Sequence, residues 1–157
     1  MIVQFTIKQM ECLGSGRSGA VYKGEGVAIK KFILAENYQF MPEEFAREVF
    51  IMKKLDHPYI MSLISASARH YMPLGRTDLR QLVVEGIEFD VKKMAGKIAL
   101  GLIYLQNNNI FHGDVKPENI IIMEDLTPKI ADFGTAVVNA CTYPKMTSDA
   151  CYFFEGY

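Results

Sequence analysis

Residues 110–119 read Ile-Phe-His-Gly-Asp-Val-Lys-Pro-Glu-Asn, and residues 131–134 read Ala-Asp-Phe-Gly. Phosphoryl transfer needs a carboxylate that orients the attacking hydroxyl, a cation near the transferred group, and oxygen ligands for Mg²⁺. In these two stretches the groups would be, in that order, Asp114, Lys116, and the pair Asn119 and Asp132. Such a string can occur by accident in a surface loop, but its distance from Asp-Phe-Gly suits a hairpin that brings both together.

A glycine-rich segment near the start of the chain is typical of a phosphate-binding loop. Residues 13–21 read Leu-Gly-Ser-Gly-Arg-Ser-Gly-Ala-Val, and glycines there let backbone N–H groups approach a polyphosphate. A plain glycine hairpin is the alternative. The segment runs from strand to strand, unlike a dinucleotide-binding turn, and Lys30 follows Val21 by nine residues in Val-Ala-Ile-Lys, which favours the phosphate loop.

Lys30 and Glu48 are predicted to form a buried ion pair. Side chains alternate along a strand, so Lys30 shares a face with Ala28 and can point into the cleft, whereas Lys31 points away. Glu48 lies three residues after Phe45, which puts it on the apolar stripe of a predicted helix. An unpaired buried carboxylate would cost several kcal/mol, which favours this pairing over two solvated side chains.

The spacing of apolar residues predicts an α+β chain. Strands are expected at residues 5–13, 20–23, 27–32, 61–68, 69–74, 120–122 and 129–131, and the first five would complete one antiparallel sheet. Helices are expected at residues 42–55 and 91–105, with three asparagines at 107–109 as a stop signal. The apolar stripe of the second helix would be Val91, Met94, Ile98, Leu102 and Leu105.

Composition limits the classes of function. At 157 residues the chain has room for one domain with its own core, and two would be too small. A net charge of −1 gives no electrostatic reason to expect a nucleic-acid or membrane partner. Three cysteines without metal-type spacing favour a reducing, cytoplasmic compartment. No apolar run is long enough to span a membrane.

Five motifs occur in an order that closely resembles the protein kinase family, serine/threonine type. They are Gly-x-Gly-x-x-Gly-x-Val, Val-Ala-Ile-Lys, the helix glutamate, His-x-Asp-x-Lys-Pro-Glu-Asn and Asp-Phe-Gly. The resemblance implies a protein-kinase-like domain over residues 1–157. Its N-lobe, about 1–74, would be a five-stranded antiparallel sheet with one helix, and its C-lobe, about 75–157, would be truncated and mainly helical.

The resemblance also implies ATP and Mg²⁺ as cofactors and assigns residues to them. Lys30 would hold the phosphates and pair with Glu48, and a hinge for adenine would lie near residues 71–74. His112 would pack beneath Phe133 in a structural role. The nucleotide would be contacted by the glycine-loop residues Leu13, Gly14, Gly16 and Gly19, and by Val21, Ala28 and Ile121 around the adenine.

Two features depart from the family's pattern. Gly113 stands where many members carry an arginine that pairs with a phosphate on the activation segment, so we expect activity that does not depend on phosphorylation of Thr147 or Ser148. Phe-Phe-Glu at 153–155 looks like a degenerate form of the motif that closes this segment, and the chain ends two residues later. Apolar surface left by missing helices would then favour a partner or self-association. The alternative is that the aromatic residues at 152–154 fold back and cover that surface.

These observations leave two functions open. The first is a minimal ATP- and Mg²⁺-dependent serine/threonine protein kinase that phosphorylates a protein substrate, in which Asp114 orients the hydroxyl and Lys116 stabilises the phosphoryl group. The second is a catalytically reduced mimic that binds and regulates another kinase or its substrate. Retention of the lysine, the base and both metal ligands favours the first.

Overall fold

The computed structural model describes residues 10–16, 19–32, 43–67 and 69–138. The first half of the chain forms a five-stranded antiparallel sheet. Its strands are β1 (Cys12–Gly16), β2 (Gly19–Lys23), β3 (Val27–Phe32), β4 (Ser65–Ala66) and β5 (His70–Pro73). Their order across the sheet is β1-β2-β3-β5-β4, so the sheet predicted from the sequence is confirmed.

The strand predicted at residues 61–68 is wrong in extent, because β4 contains only two residues. Residues 60 and 61, further upstream, pair with a different part of the chain. The backbone N–H of Met61 donates to the carbonyl of Ile130 over 2.8 Å, and Ile60 forms a parallel bridge with Ile130. This stretch therefore ties the sheet to the second half of the chain instead of extending β4.

Some predictions fall outside the described residues. The strand predicted at 5–13 overlaps β1 only at its last two residues, and residues 5–9 are not among those described. The other positions outside the described ranges are Cys141, Thr147, Ser148, Cys151 and the Phe-Phe-Glu stretch at 153–155. Predictions about them stay predictions.

Helix α1 (Glu43–Lys54) confirms the helix predicted at residues 42–55. Two glutamates in its first turn and two lysines in its last turn complement the helix dipole. Phe45 and Val49 bury their side chains against Phe32 of β3. This contact seats α1 on the sheet.

Within residues 74–138, the described part of the second half, the chain forms two α-helices and two small sheets. The helices are α2 (Leu79–Val84) and α3 (Val91–Asn107). The strands are β6 (Thr77–Asp78), β7 (Ile110–Phe111), β8 (Ile120–Ile122), β9 (Pro128–Ile130) and β10 (Val137–Val138). One sheet has the order β6-β8-β9, and the other pairs β10 with β7. Among the residues described, no helix is both long and apolar enough to cross a lipid bilayer.

The sequence predicted β8 and β9 to within one residue but missed α2, β6, β7 and β10. These elements are two to six residues long, which is too short to show a period. A local signal for α2 does exist. The carboxylate of Asp78 accepts a hydrogen bond from the backbone N–H of Gln81 over 2.9 Å, as expected of a helix N-cap.

Helix α3 ends where the three asparagines predicted. Asn107 is its last residue, and Asn109 has a left-handed φ of 58°. The predicted apolar stripe is only partly right, since Met94 and Leu105 are buried whereas Val91 is 68% exposed. Val91 is the first helical residue, and the buried side of α3 begins at Met94.

One hydrophobic core joins the two halves. It includes residues from all three helices and from the strands on either side of residues 112–119, a segment that we call the catalytic loop. Its members include Met52, Ile60, Leu82, Leu105, Ile110, Ile120, Ile122, Ile130 and Phe133. Because Ile110 and Ile120 are both buried here, the two ends of the catalytic loop are fixed by packing.

We expect Leu105→Ala to lower the free energy of unfolding by about 2–5 kcal/mol, because it opens a cavity in this core. Leu105 is 1% exposed, whereas Leu100 on the same helix is 52% exposed. Leu100→Ala is therefore the matched control and should change stability by less than about 0.5 kcal/mol. Urea denaturation of both variants measures the difference, and equal losses would contradict the core described here.

Candidate active site

The ammonium group of Lys30 bridges two carboxylates. Its Nζ lies 2.8 Å from Oε2 and 3.0 Å from Oε1 of Glu48, and 2.8 Å from Oδ1 of Asp132. The side chains of Lys30 and Glu48 are 7% and 1% exposed, whereas that of Asp132 is 42% exposed. The ion pair predicted between Lys30 and Glu48 is present, and it opens to the surface on the side of Asp132.

Local structure explains how these groups meet. Strand β3 turns Lys30 and Ala28 inward and leaves Lys31 exposed, as the alternation predicted. Glu48 lies on the buried stripe of α1 beside Phe45 and Val49. The alternation of the strand and the period of the helix therefore bring the cation and the carboxylate to the same buried point.

Electrostatics keep both groups charged. Burial is the largest effect on Lys30 and acts to lower its pKa, but Glu48 and Asp132 together outweigh it, so the pKa lies above its ordinary value. Burial likewise acts to raise the pKa of Glu48, but His70 and Lys30 outweigh it, so that pKa lies below its ordinary value. The pair is therefore a true ammonium and carboxylate at neutral pH.

The catalytic loop places Lys116 and Asn119 on Asp114. Lys116 Nζ lies 2.6 Å from Oδ2 of Asp114, and Asn119 Nδ2 donates to the same oxygen over 3.0 Å and to the Asp114 carbonyl over 2.8 Å. The hydrogen bond from Lys116, followed by that from Asn119, lowers the pKa of Asp114. Asp114 is thus held as an ionised carboxylate with Oδ1 outside these contacts.

His112 and Phe133 form the support beneath the loop. The His112 ring accepts a hydrogen bond from the Asp114 backbone N–H at Nδ1 and contacts the Ala131 carbonyl through Nε2 over 2.8 Å, which fits an Nε2–H tautomer. Its ring centroid lies 5.1 Å from that of Phe133. The predicted packing of His112 against Phe133 is present, and both of its ring nitrogens are used structurally.

The three glycines of the predicted phosphate loop differ in their surroundings. Added Cβ atoms on Gly14 and Gly16 of β1 would meet nothing within 4 Å, whereas one on Gly19 would collide with the backbone carbonyl of Lys31. Gly19 is therefore required by the packing of β2 on β3. Gly14 and Gly16 leave open space above the sheet edge, and residues 17 and 18 between them and Gly19 lie outside the described part of the chain.

A cleft of about 400 Å³ brings together residues from both halves of the chain. It contains four of the predicted site residues, which are Gly16, Asp114, Lys116 and Asp132, together with Glu44, Gly113, Gly134 and Thr135. The other predicted residues do not line this cleft. Of these, Asn119 is buried behind Asp114, Leu13 is exposed on β1, and Val21, Ala28 and Ile121 lie on β2, β3 and β8.

Sequence reasoning missed Arg47. Its Nη1 donates to the carbonyl of Gly134 over 3.0 Å, and its Nη2 contacts Oε1 of Glu43 over 2.8 Å. Arg47 thus ties α1 to the Asp-Phe-Gly turn at a second point, the Gly134 carbonyl. An arginine on a helix surface carries no signal for such a long-range contact, since its usual partner is solvent or a residue one turn away.

Gly113, which stands where many family members carry an arginine, has a structural role of its own. Its φ is 81°, and an added Cβ would lie 2.8 Å from the Thr135 carbonyl. The Thr135 hydroxyl also donates to the His112 carbonyl over 3.2 Å. A residue with a side chain at position 113 would be strained by its backbone conformation and would push this segment away.

The donor set suits Mg²⁺ bound together with a phosphate. Within the described ranges there is no cluster of three or more His, Cys, Asp or Glu side chains able to hold a metal by itself. Asp132 offers a partly exposed carboxylate, and the amide group of Asn119 is used as a donor, which leaves its carbonyl oxygen for a cation. Mg²⁺ usually takes one or two protein oxygens and completes its coordination with waters and phosphates.

Comparisons with known proteins agree with this arrangement. A family model described as the protein kinase domain matches residues 7–152, and the chain therefore belongs to the protein kinase domain family. It is 35% identical to cysteine-rich receptor-like protein kinase 26 of Arabidopsis thaliana over 79% of this chain. It is 34% identical to cell division control protein 2 homolog 3 of Trypanosoma brucei brucei over 82%, and 30% identical to cyclin-dependent kinase 1 of Encephalitozoon cuniculi over 82%.

The chain spans 21%, 46% and 50% of the lengths of these three proteins. Proteins of this family generally use ATP and Mg²⁺. The five-stranded sheet with one helix is the N-lobe of the kinase fold, and the part described after it contains α2, α3 and the two small sheets.

We expect Lys30→Met to lower the free energy of unfolding by about 3–5 kcal/mol, because it leaves Glu48 buried without its cation. The double variant Lys30→Met/Glu48→Gln removes both charges and should recover most of this loss. Chemical denaturation at neutral pH measures both. If the double variant is no more stable than the single one, the loss does not come from an uncompensated charge.

Acid should destabilise the chain through Glu48. Its pKa is lower in the folded chain than in the unfolded chain, so its stabilisation is present above the unfolded pKa of about 4.3 and is lost as pH falls through the folded pKa. We expect Glu48→Gln to show a shallower loss of stability than wild type below that pH. Parallel pH profiles of unfolding free energy for the two proteins would contradict this assignment.

Proposed function

We propose that this chain is an ATP- and Mg²⁺-dependent phosphotransferase that acts on serine or threonine hydroxyls of proteins. The observation that carries the proposal is the shared cleft. Asp132 forms an ion pair with the buried Lys30, and it lines the same cleft as Asp114 and Lys116. A base, a cation and a metal ligand within one cleft are the set that phosphoryl transfer requires.

Each residue has a distinct part in this proposal. Lys30 and the open glycines Gly14 and Gly16 would hold the phosphates of ATP, and Asn119 and Asp132 would hold Mg²⁺. Bound together, these cofactors would supply the phosphoryl group and the positive charge that neutralises it. The remaining ligands proposed for the nucleotide are Leu13, Gly19, Val21, Ala28 and Ile121.

Asp114 would act on the substrate hydroxyl. Its Oδ2 is occupied by Lys116 and Asn119, so Oδ1 is the oxygen able to accept a hydrogen bond from the hydroxyl and then its proton. A lowered pKa keeps Asp114 ionised and ready to orient that group. Lys116 lies beside it and could stabilise charge on the transferred group.

The proposal extends to substrates, partners and organisation. The Lys-Pro-Glu of the catalytic loop and the relative named as a receptor-like protein kinase support a protein substrate. A partner kinase and self-association are the other contacts proposed.

We also propose one kinase-like domain over residues 1–157, with a lobe boundary near Leu74, because the sheet ends at Pro73. A reducing, cytoplasmic location is proposed as well, because Cys12 is a free thiol.

The proposal is tested by transfer of labelled phosphate from ATP to protein and peptide substrates. We expect Asp114→Asn to lower the rate by about 10²–10⁴-fold, because the hydroxyl loses its base. Stabilisation by Mg²⁺-ATP should remain, at about 2.7 kcal/mol when the ligand is at one hundred times its dissociation constant. Asp125→Asn is the matched control, since Asp125 is exposed, accepts a hydrogen bond in a turn and does not line the cleft.

Two results would overturn the proposed activity. One is transfer by Asp114→Asn at the rate of wild type, which would place the catalysis elsewhere. The other is nucleotide binding without transfer to any substrate class, which would favour a mimic that regulates another kinase.

A further inference from the structure

A histidine that the mechanism does not use lies inside the N-lobe. His70 of β5 is 0% exposed, and its ring centroid lies 4.7 Å from that of Phe32 and 4.5 Å from that of Phe45. Within the part of the chain described, neither ring nitrogen has a hydrogen-bond partner. A buried polar group without a partner is costly, so a neutral apolar residue would suit this aromatic pocket better.

The carboxylate of Glu48 lies beside the His70 ring. His70 Nδ1 lies 3.5 Å from Oε2 of that carboxylate, which is beyond good hydrogen-bond length but within the range of strong electrostatic attraction. An unprotonated Nδ1 would turn its lone pair toward a negative oxygen and repel it. A protonated Nδ1 would attract it, and a shift of a few tenths of an ångström would complete a hydrogen bond.

Glu48 holds two groups that the site depends on. Both of its oxygens contact Lys30, and Oε1 also accepts from the backbone N–H of Phe133 over 3.3 Å. Those contacts come from β3 and from the Asp-Phe-Gly turn. A donor on β5 would add a third anchor and would fix the carboxylate from inside the sheet.

We propose that His70 is a positioning residue for Glu48, in which Nδ1–H donates to Oε2 and orients the carboxylate so that it holds Lys30 at the cleft. The effect on nucleotide binding rests on the function proposed above, whereas the protonation of Nδ1 does not. Stabilising contact with a charged partner also accounts for a histidine in an otherwise aromatic cluster.

The first test reads the proton directly. The chain has three histidines, and long-range ¹H–¹⁵N correlation spectra of the ¹⁵N-labelled chain, with His70→Asn to assign the signal, show which ring nitrogens carry protons. We expect Nδ1 of His70 to be protonated, in either the neutral or the doubly protonated ring. An unprotonated Nδ1 overturns the proposal, whatever the chain does with ATP.

The second test separates donation from packing. In His70→Asn the amide can replace Nδ1–H, whereas His70→Leu keeps similar volume without a donor. We expect His70→Leu to weaken Mg²⁺-ATP binding about five- to tenfold by calorimetry and His70→Asn to stay within about twofold of wild type, as a direct coupling would predict. In a Glu48→Gln background the gap between the two should close.

A purely structural role gives a different pattern. The Asn and Leu variants would then lose affinity alike, or the gap between them would persist without the Glu48 carboxylate, and the proposal fails. If wild type does not bind Mg²⁺-ATP, the proposed function fails. The free energies of unfolding in urea then replace the affinities. The difference in stability between His70→Asn and His70→Leu must still disappear in the Glu48→Gln background. If the variants do not fold, the proton on Nδ1 in wild type decides.

Discussion

A single buried ammonium group connects parts of the chain that are far apart in sequence. Lys30 is 18 residues from Glu48 and 102 residues from Asp132, yet its Nζ lies within 3.0 Å of both carboxylates. Burying Lys30 and Glu48 is costly, and attraction among the three charges compensates for it. The sheet, α1 and the Asp-Phe-Gly turn must therefore be correctly placed together, or the two buried charges lose their partners.

The rest of the site is built outward from this constraint. Phe133, next to Asp132, is fully buried and packs on His112. His112 in turn accepts a hydrogen bond from the backbone N–H of Asp114. The positions of Asp132, the proposed metal ligand, and of Asp114, the proposed base, are thus linked through one aromatic contact. Arg47 adds a second tie from α1 to the same turn through the Gly134 carbonyl. Displacement of α1 would therefore disturb the carboxylates of Asp132 and Asp114 together.

Local patterns in the sequence were enough to predict the buried pair. The alternation of β3 set the direction of Lys30, and the helical stripe through Phe45 and Val49 set that of Glu48, so each rule needed only a few neighbouring residues. The grouping of Asp114, Lys116 and Asn119 was also local, because all three lie within six consecutive residues of the catalytic loop.

What the sequence could not predict is nonlocal or very short. The bond from Met61 to Ile130, which shortens β4, joins residues 69 positions apart. His70 reads as an ordinary strand residue until its burial between Phe32 and Phe45 is known. The structural role of Gly113 depends on the close approach of the Thr135 carbonyl. None of these contacts leaves a periodic signal in one sequence.

The cluster of Lys30, Glu48 and Asp132 is proposed to form a metal-dependent nucleotide site. Isothermal titration of the purified chain with ATP, with and without Mg²⁺, tests it most directly when Asp132→Asn is titrated alongside. We expect wild type to bind more tightly with Mg²⁺ and Asp132→Asn to lose that dependence, because the carboxylate that faces the cleft is gone. Binding that is absent, or that is the same in both proteins with and without Mg²⁺, would contradict it.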